Sequence, residues 1–303
     1  MTIKSRIFNF YLKSKFYYKL ERWVVHILPT IHNQPVLDMG ELQPEIFTEH
    51  SELNGINMNE EAQLSLLETF KTRYKTEFDT LDNANAPPYF YFDNGRFESV
   101  DAEIFYCMIR HLKPRRLIEI GAGFSSKIAS IAISRNFVED QRYHCEYTCI
   151  EPSPENWLYD IPQINNIIKD KLENIPLSLF NELKQNDILF IDSSHLINIY
   201  NDVCIEYLDI LPSLTTGVFI HSHDIILPQR YCRQWHDNRY YFNEQYLLQA
   251  FLAFNQSFSV VWAGNFMHLK HGDKLQDTFT SYNKLPGLKR EYGHKSFWIK
   301  RVR

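Results

Sequence analysis

No apolar run in this 303-residue chain is long enough to span a bilayer, and its start lacks the uninterrupted hydrophobic stretch of a secretory leader. Membrane association is therefore not expected, and a cytoplasmic location is. The five cysteines (Cys107, Cys145, Cys149, Cys204, Cys232) contain no C-x-x-C pair; they read as reduced, mostly buried thiols of a cytosolic protein. Positive charge is not in excess either. A net charge of −5 argues against a general nucleic-acid binder and leaves room only for a local basic patch. Internal repeats and low-complexity tracts are missing. What the chain does hold is aromatic: 22 Phe and 18 Tyr, suited to flat, apolar-walled pockets and equally to a core.

One more absence sharpens the central motif, Leu117-Ile-Glu-Ile-Gly-Ala-Gly-Phe-Ser-Ser126. A short apolar run ends in a glycine-rich turn and a helix-like run follows, the pattern of a parallel strand feeding a helix N-terminus. Gly121 and Gly123 can take positive φ and let a ligand lie against the backbone. The dinucleotide fingerprint G-x-G-x-x-G needs a third glycine, and position 126 is serine. Glu119, at the strand end, would repel a pyrophosphate and attract the amino group of a methionine moiety.

Around this stretch the chain divides into an N-terminal helical extension and linker (1–85) and a catalytic domain (86–303). Residues 4 to 28 mix cations with apolar residues at helical spacing. They read as a helix packed on this protein or on a second copy in a homodimer, or as an interfacial helix on an anionic surface. A helix is expected from Asn59, a possible N-cap, to Tyr74, and another from Ser99, which could cap it, to His111, stopped by Pro114. Between them runs the aromatic loop from Pro87 to Arg96. Strands are expected at 116–121, 146–151, 165–169, 187–192, 217–223, 258–264 and 296–301, with helices between most of them and a strong helix at Glu244 to Phe254. That alternation predicts an α/β fold, a Rossmann-like doubly wound, mainly parallel sheet, with its ligand crevice beyond the carboxyl ends of the strands.

Polar residues stand at those ends. Glu151 closes the second strand, where a carboxylate can accept both hydroxyls of a ribose. Asp170, after the third, either approaches an adenine or sits in a charged loop. The fourth and fifth strands turn abruptly polar, at Asp192-Ser-Ser-His195 and His221-Ser-His-Asp224. If these strands are neighbours, Asp192, His195, His221, His223 and Asp224 gather at one rim, a set able to bind a metal or move a proton.

In this order, Glu119-x-Gly-x-Gly, Glu151, Asp192-Ser-Ser-His195 and His221-Ser-His-Asp224 resemble a bacterial small-molecule O-methyltransferase-like branch of the class I S-adenosylmethionine-dependent methyltransferases. The resemblance runs from about Asn94 through Trp298 and takes in Asn243 to Phe251 and Phe266-Met-His-Leu269. It implies a seven-stranded sheet with the last strand antiparallel, S-adenosyl-L-methionine as cofactor, and donor contacts from Glu119, Gly121, Gly123, Glu151, Asp170 and Asp192. It also implies a divalent metal at Asp192, His223 and Asp224. The histidine at 223 departs from the family's acid pair and moves the preference from Mg²⁺ towards Mn²⁺, Fe²⁺ or Zn²⁺.

Methyl transfer needs an acceptor oxygen aligned with an electrophilic carbon and relieved of its proton. A metal can lower the hydroxyl's pKa, or His195 or His221 can act as base from an ordinary pKa near roughly 6.5. The expected reaction is O-methylation of a small metabolite or sugar hydroxyl, with no nucleic-acid partner. Arginines between Pro228 and Phe242 suggest either an anionic or polyhydroxylated acceptor or a solvated loop. Two other functions remain open: a non-haem metal-dependent oxygenase using His221, His223 and Asp192, and a binding protein that keeps the donor without transfer.

Overall fold

The computed structural model describes residues 43–82, 90–282 and 294–303. The helix expected over 4–28, much of the linker after it, and Pro87-Pro88 lie outside the described residues. Contacts divide the chain into Met1–Ile46 and Phe47–Arg303, and everything below belongs to the second unit. No helix among the described residues is long and apolar enough to cross a membrane.

In chain order the elements are α1 (Glu60–Phe78), α2 (Asp101–Leu112), β1 (Arg116–Ile120), α3 (Phe124–Glu139), β2 (Glu146–Ile150), β3 (Asn166–Ile168) and β4 (Ile188–Ile191). After β4 come α4 (Asp202–Ile205), which runs on through a π-helical turn over Glu206–Ile210, then β5 (Phe219–Ser222), α5 (Arg233–Asp237), α6 (Glu244–Leu252), β6 (Phe258–Ala263), α7 (Gly264–Thr278) and β7 (Phe297–Arg301). The expected strands are all present, each within about two residues of its sequence-based bounds. Two capping expectations are corrected. Asn59 adopts φ 50 and makes no cap bond; its amide donates instead to Ser259 Oγ and the Val260 carbonyl, tying α1 to β6. Val100, not Ser99, is the N-cap residue of α2.

The sheet order is β3-β2-β1-β4-β5-β7-β6, with β1 to β5 parallel and β7 antiparallel to both its neighbours. Strand order therefore reverses between β1 and β4. Strands β1, β2, β4 and β5 are almost wholly buried, which is why they read as largely apolar runs instead of alternating ones, with Glu119, Thr148 and His221 as polar residues buried among them. Their core includes Leu117, Ile120, Ile150, Leu189, Phe190 and Ile220, covered in part by Phe105 and Ile109 of α2 and Ile128 and Ala132 of α3.

Register decides where the polar residues emerge. Ile120 stands opposite both Ile150 and Ile191, and Ile191 opposite Ser222. The next residue of each strand thus falls in one row: Glu151, Gly121, Asp192, His223. Their amides continue the ladder, Gly121 N donating to Ile150 O (3.0 Å), Asp192 N to Ile120 O (2.9 Å) and His223 N to Ile191 O (2.9 Å).

Candidate active site

Two cavities open on this row. One, of about 490 Å³, lies over the ends of β1 to β4, with Lys171, Leu172, Asn198 and Asn201 in its wall. The other, of about 560 Å³, extends over β5 and is walled by Phe97, Phe124, Trp157, Trp235, Tyr240 and Phe242. Gly121, Glu151, Asp192 and Ser193 line both. The crevice expected at the switch point is therefore present, and Glu151 and Asp192 stand in its middle. The Lys127 ammonium lies 4.4 Å from the ring centres of both Phe124 and Trp157, fixing that wall by cation–π attraction.

The two motif glycines differ in what they do. Gly121 has φ +79, and a Cβ there would lie 1.9 Å from the Asp192 carbonyl oxygen. Only glycine lets the β1 turn pass this close to the end of β4. Gly123 has extended backbone and open space where a Cβ would point, so its bareness constrains no neighbour and leaves room for a ligand.

Glu119 departs from its expected role. It is fully buried under the first turn of α3, accepting hydrogen bonds from Ser125 Oγ and Ser126 Oγ (both 2.6 Å), from Tyr147 OH, and a weaker one from Cys149 Sγ (3.4 Å). Burial pushes its carboxyl up to about 7 against these donors. Occupied on both oxygens, it braces the turn and does not line either cavity. Asp170 is likewise outside the cavity walls; Lys171 N and the Asn174 amide satisfy its Oδ1, as the charged-loop alternative anticipated. Glu151 does face the crevice, with Oε1 accepting from Ser153 N at 2.8 Å.

Beyond β4 and β5 the structure gathers Asp192, His195, His223 and Asp224, and adds three residues that sequence reasoning missed. His195 Nε2 lies 3.2 Å from Asp192 Oδ1 and 3.4 Å from Asp224 Oδ2, while Nδ1 meets Glu244 Oε2 at 2.8 Å. His223 Nδ1 lies 3.3 Å from Asp192 Oδ1, and its Nε2 faces Asp101 Oδ2 at 3.7 Å. Lys295 Nζ sits 2.6 Å from Asp224 Oδ1. The N-terminus of α6 holds the His195 loop, since Asn243 N and Glu244 N both donate to the His195 carbonyl. Lys295 was legible in principle: an antiparallel last strand brings its amino end beside the carboxyl end of β5, as the Ser222–Phe297 pairing shows.

Charge in this cluster is mutually sustained. Burial pushes the Asp192 carboxyl up, but His223 and His195 outweigh it and hold it well below the usual range. Burial would lower His223 too, yet Asp192 and Asp224 raise it to about 9. His195 is raised well above 6.5 by Asp192, Glu244 and Asp224 against its own burial. The expectation of an unperturbed His195 base is corrected accordingly: ringed by three carboxylates, it is an imidazolium at neutral pH.

His221 is the expected rim residue that is not at the rim. It shares a sheet face with His223 two residues on, but lies inside β5, stacked on Phe190 at 4.1 Å with Nε2 bonded to Ser296 Oγ at 3.0 Å. Burial and the His223 charge hold it well below 6.5, hence neutral. A triad of His221, His223 and Asp192 is therefore not assembled. The expected metal set is: donor atoms of Asp192, His223 and Asp224 lie within 4.8 Å of one another, the one such group among the described residues. Two carboxylates and an imidazole at that spacing fit a divalent ion. Two arginines of the 228–242 segment point elsewhere, Arg230 to Glu49 (3.7 Å) and Arg233 to Asp237 (3.7 Å); the segment gives the cavity the rings of Trp235, Tyr240 and Phe242.

No family profile matches the sequence. The chain is 35% identical over 143 residues to an uncharacterised protein of Archaeoglobus fulgidus, covering 46% of this chain and 62% of that protein. Among solved structures, it is similar to the plantazolicin methyltransferase BpumL in complex with a pentazolic desmethylPZN analogue and SAH (14% identity, 80% of this chain and 98% of that one, TM-score 0.41). It is also similar to the O-methyltransferase from Bacillus cereus in complex with SAH (13% identity, 79% and 91%, TM-score 0.37). These likenesses carry no argument; the sheet itself has the seven strands and the antiparallel last strand that the sequence resemblance implied, with its crevice at the β1/β4 reversal.

Proposed function

We propose that this chain is an S-adenosylmethionine-dependent methyltransferase acting on a hydroxyl of a small metabolite. One observation carries the reading: Gly121, Glu151 and Asp192 emerge in register at the switch point and line both cavities of the crevice. Bound S-adenosylmethionine would supply the electrophilic methyl carbon. Glu151 accepts ribose hydroxyls, the Gly121–Gly123 turn gives close backbone approach, and Asp192 stands between donor and acceptor halves. The aromatic wall of Trp235, Tyr240 and Phe242 favours an acceptor with a flat or apolar body.

Asp192, His223 and Asp224 would hold a divalent cation, which would polarise the acceptor oxygen. Glu244 orients His195 through Nδ1 and turns Nε2 towards the two aspartates; a cation bound by those aspartates would lower the His195 pKa, and the neutral imidazole could then take the acceptor's proton. The test is calorimetry with S-adenosylhomocysteine. Wild-type protein should bind it, and Glu151→Ala should weaken binding by roughly 1.5–3 kcal/mol, the size of hydrogen bonds to a charged group. Binding of NAD in its place would sink the proposal.

A further inference from the structure

The carboxylates that would take a metal already hold cations belonging to the chain. Asp224 Oδ1 is 2.6 Å from Lys295 Nζ, Asp224 Oδ2 is 3.4 Å from His195 Nε2, and Asp192 Oδ1 meets both imidazoles. The lysine is not there by the chance swing of a long side chain. Its backbone is pinned on both sides, its N–H donating to Asp101 Oδ2 (2.9 Å) and its carbonyl accepting from Ile225 N (3.0 Å), next to Asp224 itself. Ser296 N donates to the other Asp101 oxygen (3.0 Å), so one buried carboxylate fixes the strand entry that delivers the ammonium. Lys295 and Asp224 side chains are each only 16% exposed.

We propose that Lys295 is a tethered counter-cation which competes with a divalent metal for Asp224 and thereby sets the metal affinity of the Asp192–His223–Asp224 site. This rests on the metal reading above. The reason is Coulombic. An ion coordinated by the same oxygen at about 2.1 Å would lie under about 5 Å from the ammonium, with little water between to screen the repulsion. The metal therefore binds against the lysine, and the site keeps its carboxylates neutralised when no ion is present.

The experiment is Mn²⁺ titration by calorimetry and electron paramagnetic resonance on full-length wild type, Lys295→Met and Lys295→Arg. Thermal unfolding is recorded with and without Mn²⁺. Lys295→Met keeps the length of the side chain and removes its charge. It should bind Mn²⁺ roughly 10–100-fold more tightly, the scale on which groups around a metal site tune its affinity. It should also melt lower than wild type without Mn²⁺ and recover more of that loss when Mn²⁺ is added, whereas Lys295→Arg should keep wild-type affinity. Lys295→Gln, which retains a donor for Asp224, is the check if Lys295→Met does not fold, and it should tighten binding in the same direction. Neutral variants that fold and bind Mn²⁺ no more tightly than wild type would overturn the proposal. If neither wild type nor variants bind Mn²⁺ while all bind S-adenosylhomocysteine, the metal reading falls and this proposal with it, leaving the donor reading standing.

Discussion

Asp187 and Asp192 flank the same strand, β4, and do opposite things. At the amino end, Asp187 is buried and accepts from three backbone N–H groups, Arg115 (2.9 Å), Arg116 (2.8 Å) and Lys184 (2.8 Å). Fixed local dipoles satisfy it, and neither cavity of the crevice reaches it. At the carboxyl end, Asp192 meets two imidazoles and opens on two cavities. Glu119 makes a third case on the neighbouring strand, buried like Asp187 but answered only by neutral hydroxyls and a thiol. Partners, more than depth, decide what each acid is: a fastener, a charged site residue, or a carboxyl poised near neutrality.

The strongest way to break this arrangement is at the turn that brings the ends of β1 and β4 together. Gly121→Ala places a Cβ on the Asp192 backbone and asks alanine for φ +79. It should cost more than about 4 kcal/mol or prevent folding, in line with the largest single-substitution effects. Gly123→Ala should stay within about 1 kcal/mol of wild type in urea unfolding and affect only ligand binding. Equal losses from the two would mean that the turn does not pass β4 as described.

Glu119 sharpens the comparison through pH. Its folded value of about 7 exceeds the ordinary 4.5, so the folded state holds a proton that the unfolded chain releases. Its contribution is greatest below pH 4.5 and is lost as pH rises to 7, a decline of up to about 3 kcal/mol. Glu119→Gln should flatten the difference in stability between pH 5 and pH 7.5. A variant with the wild-type pH slope would show the carboxyl to be charged and solvated.

The two ends of β4 can be separated directly. Asp187→Asn should lower stability by about 2 kcal/mol, the size of hydrogen bonds to a charged group, and leave S-adenosylhomocysteine affinity unchanged in the folded protein. Asp192→Asn should cost less stability, since its side chain is partly exposed, and weaken Mn²⁺ binding at least about tenfold. The reverse pattern would exchange the roles assigned to the two residues.

Much of this protein is determined by its sequence. Buried parallel strands need largely apolar runs, and their abrupt polar endings mark the carboxyl edge, so the strands, to within about two residues, and the rim at Asp192 and His223-Asp224 were legible. Only the tertiary structure decided which acid faces what. Glu119 and Glu151 both sit at strand ends, but packing against α3 takes the first out of the crevice. His221 and His223 share a face, yet one more step along β5 separates a stacked core ring from a site residue. Asp101, Glu244 and Lys295 reach the cluster from distant parts of the chain through α2, α6 and the antiparallel β7, and no local pattern announces such a meeting. A carboxylate's charge depends on neighbours brought by the fold, and so the chemistry of the rim is a property of the folded molecule.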